Sequence, residues 1–134
     1  MDNLHIKPTQ LTPRIQFSPG ENIFIISGTS APEDVRALYY PVINWMQTFV
    51  DQILSDGHNK FTQENPLRFQ VDLTYFNSTT AKFLYDIFLE LKKAIQAGIP
   101  VKVEWYHDAE DIDMKDAGID IAHLAEMEFI YISK

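Results

Sequence analysis

Between residues 67 and 107 the chain reads "LRFQVDL", then "TYFNSTTAKFLYDIFLELKKAIQAGIP", then "VKVEWYH": an alternating apolar run, a helical pattern, and a second alternating run. This order constrains the fold more than any other feature, because two strands joined through a helix lie parallel in one sheet with the helix packed on it. Phe83, Leu84, Ile87, Phe88, Leu91, Ala94 and Ile95 fall on one helical stripe, and Gly98 supplies the stop. The pattern then repeats. An acidic stretch at 108–125, with Gly118 inside it, reads as a further helix, and "MEFIYIS" at 127–133 as a closing strand.

Upstream, "RIQFS" (14–18) and "NIFIISG" (22–28) flank "PGE", which reads as a β-hairpin with Pro19 presetting φ and Gly20 tolerating a positive φ. Pro41 lacks an N–H and pushes Tyr40 away from α geometry, so the main helix is expected to start at Pro41, after a short helix over "APEDVRALYY". A kinked pair results. Its second member carries Val42, Trp45, Met46, Phe49, Val50 and Ile53 on one face, and a loop over 55–66 holding Gly57 and Pro66 leads to the strand at 67–73, expected near the sheet centre. The whole predicts an α/β fold: a mixed, mostly parallel sheet of about five strands, an antiparallel N-terminal hairpin at or near one edge, and helices packed on it. At 134 residues, 46% of them hydrophobic, residues 1–134 are expected to form one domain.

Composition excludes several functions. A net charge of −8 without any Lys/Arg cluster repels phosphate backbones, so nucleic acid is not an expected partner. No run of about 18 apolar residues is present and the first ten residues lack a signal-peptide core, which predicts a cytoplasmic protein without a membrane segment. The absence of cysteine removes disulfides, thiol catalysis and cysteine-based zinc sites.

The corner between the strand at 67–73 and the helix after it holds Asn77, Ser78, Thr79 and Thr80. A helix begins with unsatisfied N–H groups and a partial positive charge, and Asn77 or Ser78 can cap it. One cap does not require three consecutive hydroxyls. A phosphate on one of them would sit against the positive helix end, with Lys82 one turn away. Spacing alone leaves both readings open: a plain cap, or a phosphorylation site.

The chain resembles the SiaC family of bacterial regulatory phosphoproteins, and more distantly the anti-sigma factor antagonist (STAS-type) domains, whose phosphorylated Ser lies at a strand-to-helix corner. The likeness runs through "LHIKPTQLTPRIQF", "ISGTSAPED", "YYPVINWM", "YFNSTTAKFL", "GIPVKVEWYHD" and "AEDIDMKDAGIDIAHLAEMEFIYI". It implies a STAS-like fold and a non-enzymatic switch without a cofactor. A partner Ser/Thr kinase phosphorylates the corner, a PP2C-type phosphatase reverses this, and the unmodified form binds an effector. That effector is associated in the family with a diguanylate cyclase, hence cyclic-di-GMP signalling and biofilm control. On this likeness Ser78 is the acceptor and Thr79 the second candidate, with Asn77, Thr80 and Lys82 around them. The usual Asn-Thr-Ser-Ser reads Asn-Ser-Thr-Thr here, and the usual Ser-Tyr-Pro-Glu-Asn reads Ser30-Ala31-Pro32-Glu33-Asp34. Ser30, Pro32, Glu33 and Asp34, with Tyr75 and Phe76 beside the corner, are the expected partner contacts.

Other constellations read less well. His107, Asp108, Glu110, Asp111, Asp113 and Asp116 gather oxygen ligands, but no register gives the spacing of a calcium loop, so no metal is expected. The tract is a capped, solvated helix or part of a partner surface. A hydrolase would pair Ser78 with His107 or His123, yet the chain lacks a Gly-x-Ser-x-Gly elbow and a Walker A loop. A constitutive interaction scaffold, in which the corner only caps the helix, is the other alternative. Trp45, Phe49, Phe83 and Phe88 follow helical stripes and read as core, while Tyr39 and Tyr40 stay open between core and interface.

Overall fold

The computed structural model describes residues 1–56 and 60–134. Six strands form one sheet in sequential order: β1 (Leu4–Ile6), β2 (Arg14–Ser18), β3 (Ile23–Ser30), β4 (Leu67–Phe76), β5 (Val101–His107) and β6 (Phe129–Ser133). The pairs β1–β2 and β2–β3 are antiparallel, and β3 through β6 are parallel. Helices α1 (Val35–Ser55), α2 (Ser78–Gln96) and α3 (Ile112–Ala125) make the three crossovers. Each crossover steps one strand in the same direction, so a single hand places all three helices on one face. The other face carries Arg68, Gln70, Glu104 and Tyr106, tied by Arg68 to Glu104 at 2.8 Å and by Gln70 to both Glu104 and Tyr106.

The expected α/β plan with its antiparallel hairpin at the edge is present, with one strand more than expected. The added strand, β1, pairs Leu4 with Phe17 and Ile6 with Ile15. Its three residues are too short for a periodic signal and are held by pairing rather than by pattern.

The core lies between sheet and helices. Alternate residues Ile15, Phe17, Phe24, Ile26, Leu67, Phe69, Val71, Leu73, Val103, Trp105 and Phe129 are buried there against Phe49, Phe83, Leu84, Ile87, Phe88 and Leu91. Aromatic rings dominate, as with Phe88 against Phe129 at 4.7 Å and Phe24 against Phe49 at 5.2 Å. Trp45, expected in the core, sits at its margin, where its indole N–H donates to the Asp2 carbonyl at 2.9 Å.

Two local expectations are corrected. The first long helix does not start at Pro41: it begins at Val35, capped by Asp34, whose side chain accepts from the Ala37 N–H at 3.1 Å. Pro41 lies inside on the exposed side, where water can satisfy the Ala37 carbonyl that its missing N–H leaves open. In the hairpin, the positive φ belongs to Asn22 (54°), not Gly20. Asn22 earns that place through its side chain, which donates to the Pro66 carbonyl at 2.9 Å and accepts from the Arg68 N–H at 3.2 Å, tying the hairpin to β4. The loop expected over 55–66 falls partly outside the described residues, Gly57 included.

Helix α3 packs closely on β5 because Gly118 faces Trp105: a β-carbon there would lie 2.5 Å from the indole nitrogen. The same indole donates to the Met114 carbonyl at 2.9 Å. Asp111 caps α3, its side chain accepting from the Met114 N–H at 3.0 Å.

Candidate functional site

The register of β3 against β4 sets up the corner. Gly28 pairs with Leu73, but Thr29 pairs with Tyr75, so Thr74 is an extra residue in β4. Its hydroxyl donates to the Gly28 carbonyl at 3.1 Å, and Gly28 itself adopts φ 102°. A bulge of one residue flips the alternation beyond it. Tyr75 therefore points outward, 55% exposed, and Phe76 turns inward, its ring 6.0 Å from that of Trp105.

After Phe76 the chain enters α2 through Asn77, whose extended backbone (φ −87°, ψ 172°) and side chain make the cap. Its amide oxygen accepts from the Thr80 N–H at 3.0 Å and from the Thr79 hydroxyl at 2.9 Å. The Asn77 N–H is held by the Ser30 carbonyl at 3.1 Å.

The three hydroxyls thus separate by environment. Thr80 is fully buried and donates to the Ser30 carbonyl at 3.0 Å, with the Ser30 hydroxyl 2.9 Å away and Tyr39 beyond it at 2.8 Å. Since Thr80 has one proton, already given to a carbonyl, Ser30 donates to Thr80 and Tyr39 donates to Ser30. Thr79 is exposed but engaged by the cap. Ser78 is exposed, and its hydroxyl has no hydrogen-bond partner among the described residues. Burial outweighs the two hydrogen bonds around Tyr39 and pushes its phenol up to about 12.

The expected contacts divide. Pro32 is partly exposed, Glu33 and Asp34 are exposed, and Asp34 also caps α1. Ser30 is corrected: it is fully buried, and its side chain is spent on the Thr80 and Tyr39 hydroxyls rather than offered to a partner. Phe76 is likewise turned toward Trp105 by the bulge. Lys82 does not reach back to the corner, since it pairs with Asp86 at 2.8 Å and lies over the Phe83 ring at 4.9 Å. The two open tyrosines resolve in opposite senses. Tyr39 is buried and stacked on Phe83, whereas Tyr40 is 53% exposed with its ring edge-on to Phe83 at 5.8 Å.

No histidine among the described residues hydrogen-bonds Ser78. His107 is instead fixed by its Nδ1, which donates to the Asp108 carbonyl at 2.9 Å, and His123 is exposed. Among the described residues, the acid–base partner that a serine nucleophile needs is not in place. No group of three or more metal-ligating side chains is found among the described residues, and no helix among them is long and apolar enough to cross a membrane.

A three-helix layer on one face of a mostly parallel sheet, with an exposed serine at a strand-to-helix corner, defines the class as an α/β module carrying a surface hydroxyl site. The model of the SiaC family of regulatory phosphoproteins matches residues 6–134, and the chain belongs to that family. It is 35% identical over 108 residues, 81% of this chain and 78% of the other, to an uncharacterised protein of Pseudomonas aeruginosa (strain UCBPP-PA14). Its fold matches the crystal structure of apo-SiaC from P. aeruginosa with a TM-score of 0.79 at 27% identity, covering 100% of this chain and 99% of that one. A chain of the crystal structure of the diguanylate cyclase SiaD in complex with its activator SiaC matches with a TM-score of 0.80 at 29% identity, over 98% of this chain and 99% of that one.

Proposed function

We infer that this protein is a phosphorylation-controlled activator of a diguanylate cyclase, switched at Ser78. The observation that carries the assignment is the sorting of the three corner hydroxyls: only Ser78 is both exposed and unengaged. It is the first residue of α2, and a phosphate on it would lie beside the positive end of the helix and the first-turn N–H groups other than that of Thr80, which Asn77 caps. The site therefore accommodates a dianion without unfolding. A dianion placed at the partner surface would also impose desolvation and repulsion on docking. Likeness over the full chain to a SiaC that activates the cyclase SiaD supports an effector of that kind.

In this reading the protein is cytoplasmic and performs no chemistry of its own. A Ser/Thr kinase writes the mark, a PP2C-type phosphatase removes it, and the unmodified form docks through a surface that includes Tyr75, Pro32, Glu33 and Asp34. Phosphopeptide mapping of protein from its native cells tests the site. Phosphate on Ser78, and none on Thr80, is expected. Phosphate confined to Thr79, or absent from residues 77–80 under every growth condition, would overturn the assignment.

A further inference from the structure

A second surface lies at the end of β5, where α3 and β6 form a groove of about 460 Å³ that nothing among the described residues covers. Two isoleucines sit along it one helical repeat apart, Ile112 at 68% and Ile119 at 42% exposure, and half-buried Tyr131 of β6 forms the opposite wall. Their spacing of seven residues puts them on the same side of α3, away from Met114, Gly118 and Ile121, which are buried against the sheet. The end of the groove is polar. His107 is only 7% exposed and its Nδ1 is committed as a donor to the Asp108 carbonyl, which leaves Nε2 as the free ring nitrogen. That Nε2 has no partner among the described residues, no buried side-chain nitrogen or oxygen there is both sealed and unpaired, and the ring lines the groove. Around it the segment 108–120 holds Asp108, Glu110, Asp111, Asp113, Asp116 and Asp120 against a single cation, Lys115.

We propose that this groove docks a basic amphipathic helix of a partner protein, with apolar side chains over Ile112, Ile119 and Tyr131 and one Arg or Lys reaching Asp111 and Asp116. The charge of the rim selects the sign of the partner. The paired isoleucines match the i, i+3, i+4, i+7 anchors of a helix lying in a groove. The surface is separate from the Ser78 corner and does not depend on the phosphorylation reading.

The probe is a designed 18-residue helical peptide with Leu at i, i+3, i+4 and i+7 and Arg or Lys elsewhere, titrated into the full-length protein by fluorescence anisotropy and by amide NMR. Saturable, salt-sensitive binding with shifts at residues 107–119 and 131 is expected, weakened about tenfold or more by Ile119→Ser and by Asp116→Lys, and unchanged by Ser78→Asp. Both groove variants alter exposed positions, and their unchanged amide spectra elsewhere would show that they fold. The proposal is overturned by an absence of saturable binding, by equal binding of the same peptide with Glu replacing every Arg and Lys, or by affinity that Ile119→Ser leaves intact. Concentration-dependent self-association abolished by Ile119→Ser, in place of peptide binding, would identify a second copy of this chain as the occupant and equally overturn it.

Discussion

The Thr80 hydroxyl donates to the backbone carbonyl of Ser30 at 3.0 Å, joining the first turn of α2 to the last residue of β3 across fifty positions of sequence. The Ser30 hydroxyl then relays the chain to Tyr39 on α1. One buried row of three hydroxyls thus binds three elements at the corner, and every proton in it has an acceptor.

Removing its centre should be costly. Thr80→Val leaves the Ser30 hydroxyl without its acceptor and the Ser30 carbonyl without one donor, and is expected to destabilise the fold by about 1–3 kcal/mol in urea denaturation. Ser78→Ala, two residues earlier, is expected to stay within about 0.5 kcal/mol, because its hydroxyl is exposed and unbonded. Equal losses for the two variants would contradict the sorting of the hydroxyls.

The same row predicts an alkaline limit. Tyr39 is buried and donates its proton to Ser30, so its phenol titrates at about 12 in the fold against an ordinary value of 10.0. The unfolded chain loses this proton first. The contribution of Tyr39 is therefore complete below pH 10 and is lost as pH rises toward 12, on the order of 2 kcal/mol in all. Stability measured from pH 9 to 12 should fall less steeply in Tyr39→Phe than in the parent; parallel curves would contradict this.

Much of this architecture is legible in the sequence. The helical stripe is found from Phe83 to Ala94, while Ile95, expected on it, is 40% exposed, and the stop at Gly98 lies where its backbone freedom places it, at φ 90°. What the chain does not announce are features held by distant partners. The start of α1 depends on Asp34 capping ahead of a proline that the helix tolerates on its wet side. The inward turn of Phe76 and the outward turn of Tyr75 follow from one unpaired residue, Thr74, which no period reveals. At the site, "NSTT" shows three hydroxyls alike, and only the fold buries Thr80 against Ser30, fifty residues away in sequence. The signal for Tyr40 was weaker still, since an aromatic before a proline reads equally as core or surface.

The contact of α3 with the sheet supplies an independent check on the packing. Trp105 is fully buried and anchored to the Met114 carbonyl, so it cannot yield to the methyl group of Gly118→Ala, placed 2.5 Å from its ring nitrogen. A loss of about 1–3 kcal/mol is expected by urea denaturation, despite the gain in helix propensity. An unchanged or higher midpoint would mean that α3 does not sit against Trp105 as described.

The central claim is that a removable dianion on Ser78 decides whether the effector docks. It is tested most directly by titrating a diguanylate cyclase with two forms of the purified protein, one unmodified and one carrying phosphoserine at position 78 throughout, and measuring cyclic-di-GMP formed. Activation by the unmodified form, its loss in the phosphorylated form and its return after PP2C-type phosphatase treatment are the expected results; equal activation by both forms would contradict the account.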